Sequence, residues 1–535
     1  MEEHPTSGPS ASTSVGKKWS KYMTESTKLC VGPPACYQLK VKKKNLDRES
    51  DEKSKLRKFT LGKCNLNHQN RTILLVGETG SGKSTLINAL VNFVMGVKFE
   101  DKVWFKIIPD ETDRPQSESQ TSEVSVYEVF GFEGTVVPYS LTIIDTPGFG
   151  DTRGIEHDKI TTKKLLELFK APDEVSGVKS IDAVGLVLKS SQNRINERIA
   201  YVFNSITSSF GKDMKKNIVA MMTHSDGGVP KDALKALEAA GVKYARDEDD
   251  KPVYFLFNNR QEDKIEKGEE AESFSSDMFK KAERGMVKFT KFLEKSQPQS
   301  LEKTKDVLIE REILTACIEN LKERVAHIEI QQEAIKMNKE EVEKLDQVFS
   351  NIIVRTEPYK EKEHCEKKHL SCTRCKERCC NECVSPSKTF CGKISFRGYC
   401  SVCSGKCHQN DHALEKWKYV TKTRQLPEPV EEVQKRYNAK TESEVKKILL
   451  EELEKEMKQL QRDKDRFLDD AFEAIEKLEK IALNADSVST YVHLDFLIEK
   501  MKERRDTEKV MKLEKMKENI KTTSKGGASY LERHH

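Results

Sequence analysis

Between residues 60 and 295 short apolar runs recur between longer segments of mixed polarity. The runs are Ile73–Val76, Val124–Phe130, Leu141–Ile144, Ile181–Leu188, Ile218–Met222 and Val253–Phe257. Such runs, separated by helix-length stretches, predict buried strands of a mostly parallel sheet with helices on both faces. Beyond residue 300 the strand-like pattern is expected to stop. There Leu314, Ile318, Leu321, Val325 and Ile328 step by four and three, forming one seam of a helix whose other positions are charged. A second seam, Leu450, Leu453, Met457, Leu460 and Phe467, follows Thr441-Glu442-Ser443-Glu444, the sequence of a capping box. Two or three clean heptads in each leave packing within one chain and pairing between chains equally open.

These patterns divide the 535 residues into a disordered, basic N-terminal segment over 1–60, an α/β domain over 61–295, helical or coiled-coil arms over 300–355 and 425–520, a Cys/His-rich module over 356–412, and a frayed tail over 521–535. Residues 1–37 are expected to lack structure because Ser, Pro, Thr and Gly offer too little apolar surface to offset ordering entropy. Charged residues reach 34% of the chain, against about a quarter in an ordinary globular protein, and long solvated helices account for such an excess. The net charge of +5 is matched by residues 38–58 alone, with nine basic and four acidic side chains, so no general basic surface for nucleic acid emerges. No run approaches the roughly 18 apolar residues of a membrane span, and the N-terminus lacks a signal-peptide core. A soluble, cytoplasmic protein is expected.

The first apolar run leads into Gly77-Glu78-Thr79-Gly80-Ser81-Gly82-Lys83-Ser84-Thr85, a P-loop pattern, and then into Leu86-Ile87-Asn88-Ala89-Leu90. Glycines let backbone N–H groups turn inward around phosphates, and the following helix directs its positive end at them. Lys83 is expected on the β- and γ-phosphates, with the Ser84 hydroxyl on Mg²⁺. The run Leu141–Ile144 ends in Asp145-Thr146-Pro147-Gly148, where a strand-tip carboxylate can hold the metal through water and the Gly148 N–H can sense the γ-phosphate.

Gly77–Asn88 and Asp145-Thr146-Pro147-Gly148-Phe149-Gly150-Asp151 resemble the septin-type G domain. Thr223-His224-Ser225-Asp226 and Asn258-Asn259-Arg260, each directly after an apolar run, look more like the GTPases of immunity-associated proteins. Together they cover about 70–290 and imply an α/β P-loop NTPase fold that binds GTP or GDP with Mg²⁺. The resemblance implies that Asp226 accepts hydrogen bonds from the guanine edge, with Thr223, His224, Asn258 and Asn259 around the base. It also implies a Thr that closes over Mg²⁺, for which Thr121 fits best and Thr112 second. Ras-type enzymes place a water-orienting Gln where this chain has Phe149, so hydrolysis is expected to be slow or completed by a second G domain. Arg114, Arg153 and His157 lie near enough in sequence to be considered for that task.

Ten of the fourteen cysteines fall between Cys365 and Cys407, with His364, His369, His408 and His412 alongside. In an intracellular chain this density favours Zn²⁺ over disulfides, and two-residue spacing lets a tight turn present two thiolates to one ion. The candidate ligands are Cys365, His369, Cys372, Cys375, Cys379, Cys380, Cys383, Cys391, Cys400, Cys403, Cys407 and His408, enough for two or three closed sites. The expected function is a GTP-binding protein, a slow GTPase whose nucleotide state controls self-association, as a homo-oligomer, or binding of a protein partner. A non-enzymatic scaffold that merely holds nucleotide and a P-loop ATPase are the alternatives.

Overall fold

The computed structural model describes residues 12–46, 56–109, 124–147, 164–165, 168–169, 178–192, 197–263, 268–344, 352–380, 391, 394, 398–400, 402–483 and 488–523. They form two compact units. One comprises residues 1–306, 481–488 and 518–535; the other comprises residues 307–480 and 489–517.

The first unit is built on an eight-stranded sheet. In spatial order its strands are β12 (Tyr254–Leu256), β11 (Ile218–Thr223), β10 (Ala183–Lys189), β5 (Asn70–Gly77), β8 (Ser140–Asp145), β7 (Val124–Val129), β4 (Leu56–Leu61) and β3 (Lys42–Asn45). All six apolar runs are strands. The five strands from β12 to β8 run parallel, while β7 is antiparallel to β8 and β3 is antiparallel to β4. Helices α3 (Glu197–Ser208), α4 (Lys231–Ala239) and α5 (Glu269–Lys295) follow β10, β11 and β12 in turn, and a two-residue pair, β9 (Ser180–Ile181) with β13 (Gln299–Ser300), closes the domain. Ile73, Leu74, Leu75 and Val76 are fully buried, as a strand covered on both faces requires. The interior of the sheet is also tied by charge: Arg71 meets the buried Asp182 carboxylate at 2.6 Å, and the second Asp182 oxygen accepts from Thr72 N at 2.7 Å.

The N-terminal expectation is corrected here. Residues 12–46, read as disordered, hold α1 (Ser12–Glu25), β1 (Thr27–Cys30), β2 (Ala35–Gln38) and β3, and β2 pairs in parallel with β6 (Val103–Lys106). A few large side chains suffice. Trp19, Tyr37 and Leu39 are buried in the same core as Phe105, and the Trp19 and Phe105 rings lie 5.6 Å apart. Composition averaged over the segment hides anchors of this kind, because burial is decided by the surface they meet.

The second unit corrects the expectation that strands stop at 300. Two long strands, β14 (Ile352–Cys372) and β16 (His412–Pro429), pair antiparallel over nearly their whole length, and β15 (Glu377–Cys380) joins β14 at its far end. Ion pairs cross this ribbon: Glu363 to Lys418 at 3.1 Å, Glu361 to Lys422 at 2.8 Å and Glu357 to Arg424 at 3.0 Å. A solvated ribbon lacks the apolar alternation that marks a half-buried strand, and it therefore resembles a charged helix in sequence.

The arms are helical as expected, over α6 (Glu302–Lys344), the short α7 (Val430–Tyr437), α8 (Glu442–Ile481), α9 (Val488–Arg504) and α10 (Thr507–Thr523). Gln332 meets Gln461, Lys339 meets Glu454 and Lys446 meets the Glu343 carbonyl, so α6 and α8 lie antiparallel within one chain. Leu321, Val325 and Ile328 of the first seam are buried; Leu314 and Ile318 side chains lie outside the described set. In the second seam Leu453 is buried, while Leu450, Met457, Leu460 and Phe467 are half-buried. The cap at Thr441 forms, with Glu444 N donating to Thr441 Oγ1 at 3.2 Å. The Glu444 carboxylate takes the Lys440 N–H at 2.7 Å rather than that of Thr441.

Candidate functional site

The P-loop lies at the C-terminal end of β5, between Gly77 and α2 (Lys83–Met95). Its glycines have separate causes. A Cβ on Gly77 would sit 2.4 Å from the Val187 carbonyl oxygen, so the crowded sheet excludes any side chain there. Gly80 and Gly82 have φ of 77° and 87°, the left-handed region that glycine adopts without strain. Lys83 is buried, and its ammonium donates to the carbonyls of Gly77 at 2.8 Å and Glu78 at 3.3 Å. Burial pushes its pKa down, while Asp145 and Glu78 pull it back up. Ser84 and Thr85 occupy the first turn of α2, half-buried.

Asp145 ends β8, opposite Leu75 of β5, and is fully buried. Thr146 locks the turn by donating to the Leu75 carbonyl at 3.0 Å. The sheet thus brings Lys83 and Asp145, 62 positions apart, to one strand end. Behind the loop, Asn88 and Asn92 turn their amides into β6 and the residues after it. Asn92 exchanges two hydrogen bonds with the Phe105 backbone, at 2.6 and 2.9 Å, and Asn88 Oδ1 accepts from Ile107 N at 3.0 Å. Sequence reading left Asn92 aside. The only signal was an Asn one turn after Asn88 on an otherwise apolar helix.

The loop after β11 closes the other wall. Thr223 is buried and its hydroxyl donates to the Ser81 carbonyl at 2.6 Å, so this residue braces the P-loop rather than a base. His224 is held at φ 53°, its ring reaching within 3.4 Å of where a Cβ on Gly82 would stand. Burial lowers its pKa, helped by Lys189 and Arg260. Asp226 is exposed and accepts from Gly228 N at 2.8 Å in its own turn. Asn258 bridges to this loop, donating to the Ser225 carbonyl at 2.9 Å.

Among the described residues, four buried polar oxygens here lack a hydrogen-bond partner: Thr79 Oγ1, Ser81 Oγ, Asn258 Oδ1 and Asn259 Oδ1. Buried polar atoms without partners are costly, and their gathering between the P-loop and the two base-loop segments fits a polar ligand such as a nucleotide. Gly148, Phe149, Thr112, Thr121, Arg114, Arg153, His157 and Cys383 lie outside the described residues.

A second cluster lies at the end of the β14–β16 ribbon. Cys372, Cys375, Cys403 and Cys407 form one group, and Cys379, Cys400, Cys403 and His412 another, with the ligand atoms of each group within 4.8 Å of one another. Cys365, His369, Cys380, Cys391 and His408 fall outside both groups. His408 instead accepts from Asn410 N through Nδ1 at 3.4 Å, capping a short turn, and packs edge-on against Tyr399. His412, which follows the last cysteine by five residues, takes its place because β16 returns it to the cluster. No helix among the described residues is long and apolar enough to cross a membrane.

Parallel strands, a glycine-rich turn at their tips and a helix directly behind it define an α/β domain of the P-loop NTPase class. Residues 67–162 match the septin family. The chain is 41% identical over 80 residues to Septin-1 of Drosophila melanogaster, covering 15% of this chain and 19% of that protein. It is 25% identical over 158 residues to GTP-binding protein A of Dictyostelium discoideum, covering 30% and 29% respectively. Toc33 from Arabidopsis thaliana in complex with Mg²⁺ and GMPPNP is similar in structure with a TM-score of 0.27 and 17% identity, covering 44% of this chain and 89% of that one. The chain therefore carries a septin-like P-loop G domain, and it spans 19% and 29% of the lengths of the two relatives.

Proposed function

We propose that the protein binds guanine nucleotide with Mg²⁺ and hydrolyses GTP slowly, its nucleotide state controlling association with a second copy or a protein partner. The observation that carries this reading is the meeting of buried Lys83 and Asp145 at one strand end, beside a P-loop whose hydroxyls and neighbouring amides hold unpartnered oxygens. The Gly80–Gly82 turn would wrap the phosphates with N–H donors, and the Lys83 ammonium would move from the Gly77 carbonyl to the phosphate oxygens. Ser84 and Asp145 would hold Mg²⁺, which neutralises charge on the β- and γ-phosphates. Asp226, held at the rim by its own turn, would accept from the guanine N–H groups, which disfavours the ATPase reading. We propose in addition that the Cys/His cluster holds structural Zn²⁺, as an intracellular location would permit.

The test is the identity of the nucleotide released on denaturation, with Lys83→Ala as the control. Guanine nucleotide should leave the parent chain, and the variant should bind at least a hundredfold more weakly with its thermal midpoint little changed. Equal GTP affinity in the two proteins overturns the assignment.

A further inference from the structure

The two sulfur-rich groups are not independent, because Cys403 belongs to both. Among the described residues, seven supply the whole set: Cys372, Cys375, Cys379, Cys400, Cys403, Cys407 and His412. Two closed tetrahedral ions need eight coordination positions. Seven ligands can fill eight only if one is shared. A thiolate has lone pairs for two metals, whereas each His nitrogen has one. Resting on the reading that this cluster binds Zn²⁺, we infer that it holds two ions joined through the Cys403 thiolate.

The geometry of the cluster agrees. Zn–S bonds of about 2.3 Å place tetrahedral sulfurs about 3.8 Å apart, and Cys375 Sγ lies 3.5 Å from Cys407 Sγ. Backbone N–H groups already point at the sulfurs: Cys375 N at Cys372 Sγ (3.3 Å), Val402 N and Cys403 N at Cys400 Sγ (3.3 and 3.4 Å), and Cys407 N at Cys403 Sγ (3.2 Å). Such donors support thiolate and orient it. His412 Nδ1 lies 3.0 Å from the His408 carbonyl, so Nδ1–H donates there and Nε2 is the ligand atom. Gly405 leaves room for the first group, since a Cβ there would stand 2.9 Å from Cys407 Sγ and 3.1 Å from Cys375 Sγ. Six thiolates and a neutral imidazole around two divalent ions leave two negative charges. Lys360 lies against this end, its ammonium donating to the carbonyls of Cys375 at 3.3 Å and Lys376 at 2.9 Å.

The experiment uses the full chain. Elemental analysis should find two zinc ions per chain, and replacement by ¹¹³Cd²⁺ should give two resonances split by ¹¹³Cd–¹¹³Cd coupling, which requires a bridging atom. Cys403→Ser should weaken both ions at least tenfold in chelator competition, whereas Gly405→Ala should weaken only the first. Because the coupling is read on the unaltered chain, a variant that fails to fold leaves the test intact. Two uncoupled ions, with one unaffected by Cys403→Ser, would leave zinc binding in place and overturn the bridge; a single ion would do the same. Absence of bound metal after purification without chelator overturns the zinc reading itself.

Discussion

Asp226 and Thr223 stand three positions apart and do different work. The Thr223 hydroxyl is consumed by the Ser81 carbonyl, whereas the Asp226 carboxylate lies exposed with one oxygen fixed by Gly228 N. That arrangement suits recognition of paired N–H donors on guanine. Asp226→Asn replaces an acceptor pair with one acceptor and one donor. Competition between GTP and XTP should then shift toward XTP by at least tenfold, with little change in thermal stability because the turn keeps an oxygen. Unchanged selectivity would remove Asp226 from base recognition.

The helices of the second unit are held by buried seams and by carboxylates set between cations. On α8, burial disfavours the charged form of Asp469, but Arg504 at 2.6 Å and Lys509 outweigh it and lower the pKa. Glu329 of α6 follows the same pattern: partial burial pushes its pKa up, and bonds from Lys500 and Lys464 bring it below the ordinary value. A carboxyl whose folded pKa is depressed adds stability that is present above its unfolded value, about 4, and disappears as pH falls through the folded value. The helical unit should therefore weaken on acidification below about pH 5. Asp469→Asn should lower the urea midpoint at pH 7 and flatten its fall between pH 5 and 3. An identical fall in both proteins, followed by far-UV circular dichroism, would show that these pairs do not set acid stability.

Across the chain, the described residues of the two seams lie where α6 packs antiparallel on α8 within one copy. Association would then fall to the septin-like domain. Phe149 stands where a water-orienting residue is expected, so turnover per molecule should rise with concentration as a second domain supplies the missing group. Specific activity should climb at least fivefold from nanomolar to tens of micromolar protein. A flat profile would favour a self-sufficient site or a passive scaffold. The measurement needs the N-terminal residues in place: a fragment starting at residue 60 lacks Trp19, Tyr37, Leu39 and most of β4 with Phe59, all part of one core.

Sequence alone determined the features carried by short contiguous patterns. The six buried strands, the P-loop, Asp145 and the helix cap at Thr441 were legible because each depends on local spacing or on apolar runs that only a covered sheet accommodates. Tertiary structure decided what depends on distant partners. It placed Thr223 under Ser81 and exchanged His408 for His412. It also joined two groups through Cys403 and turned charged residues 352–372 and 412–429 into a ribbon stitched by ion pairs. Spacing limits which cysteines can share a turn, but which turns meet is set by the path of the chain. A side chain's role follows from what packs against it, and for Trp19, Asn92 and Cys403 those partners lie on other elements.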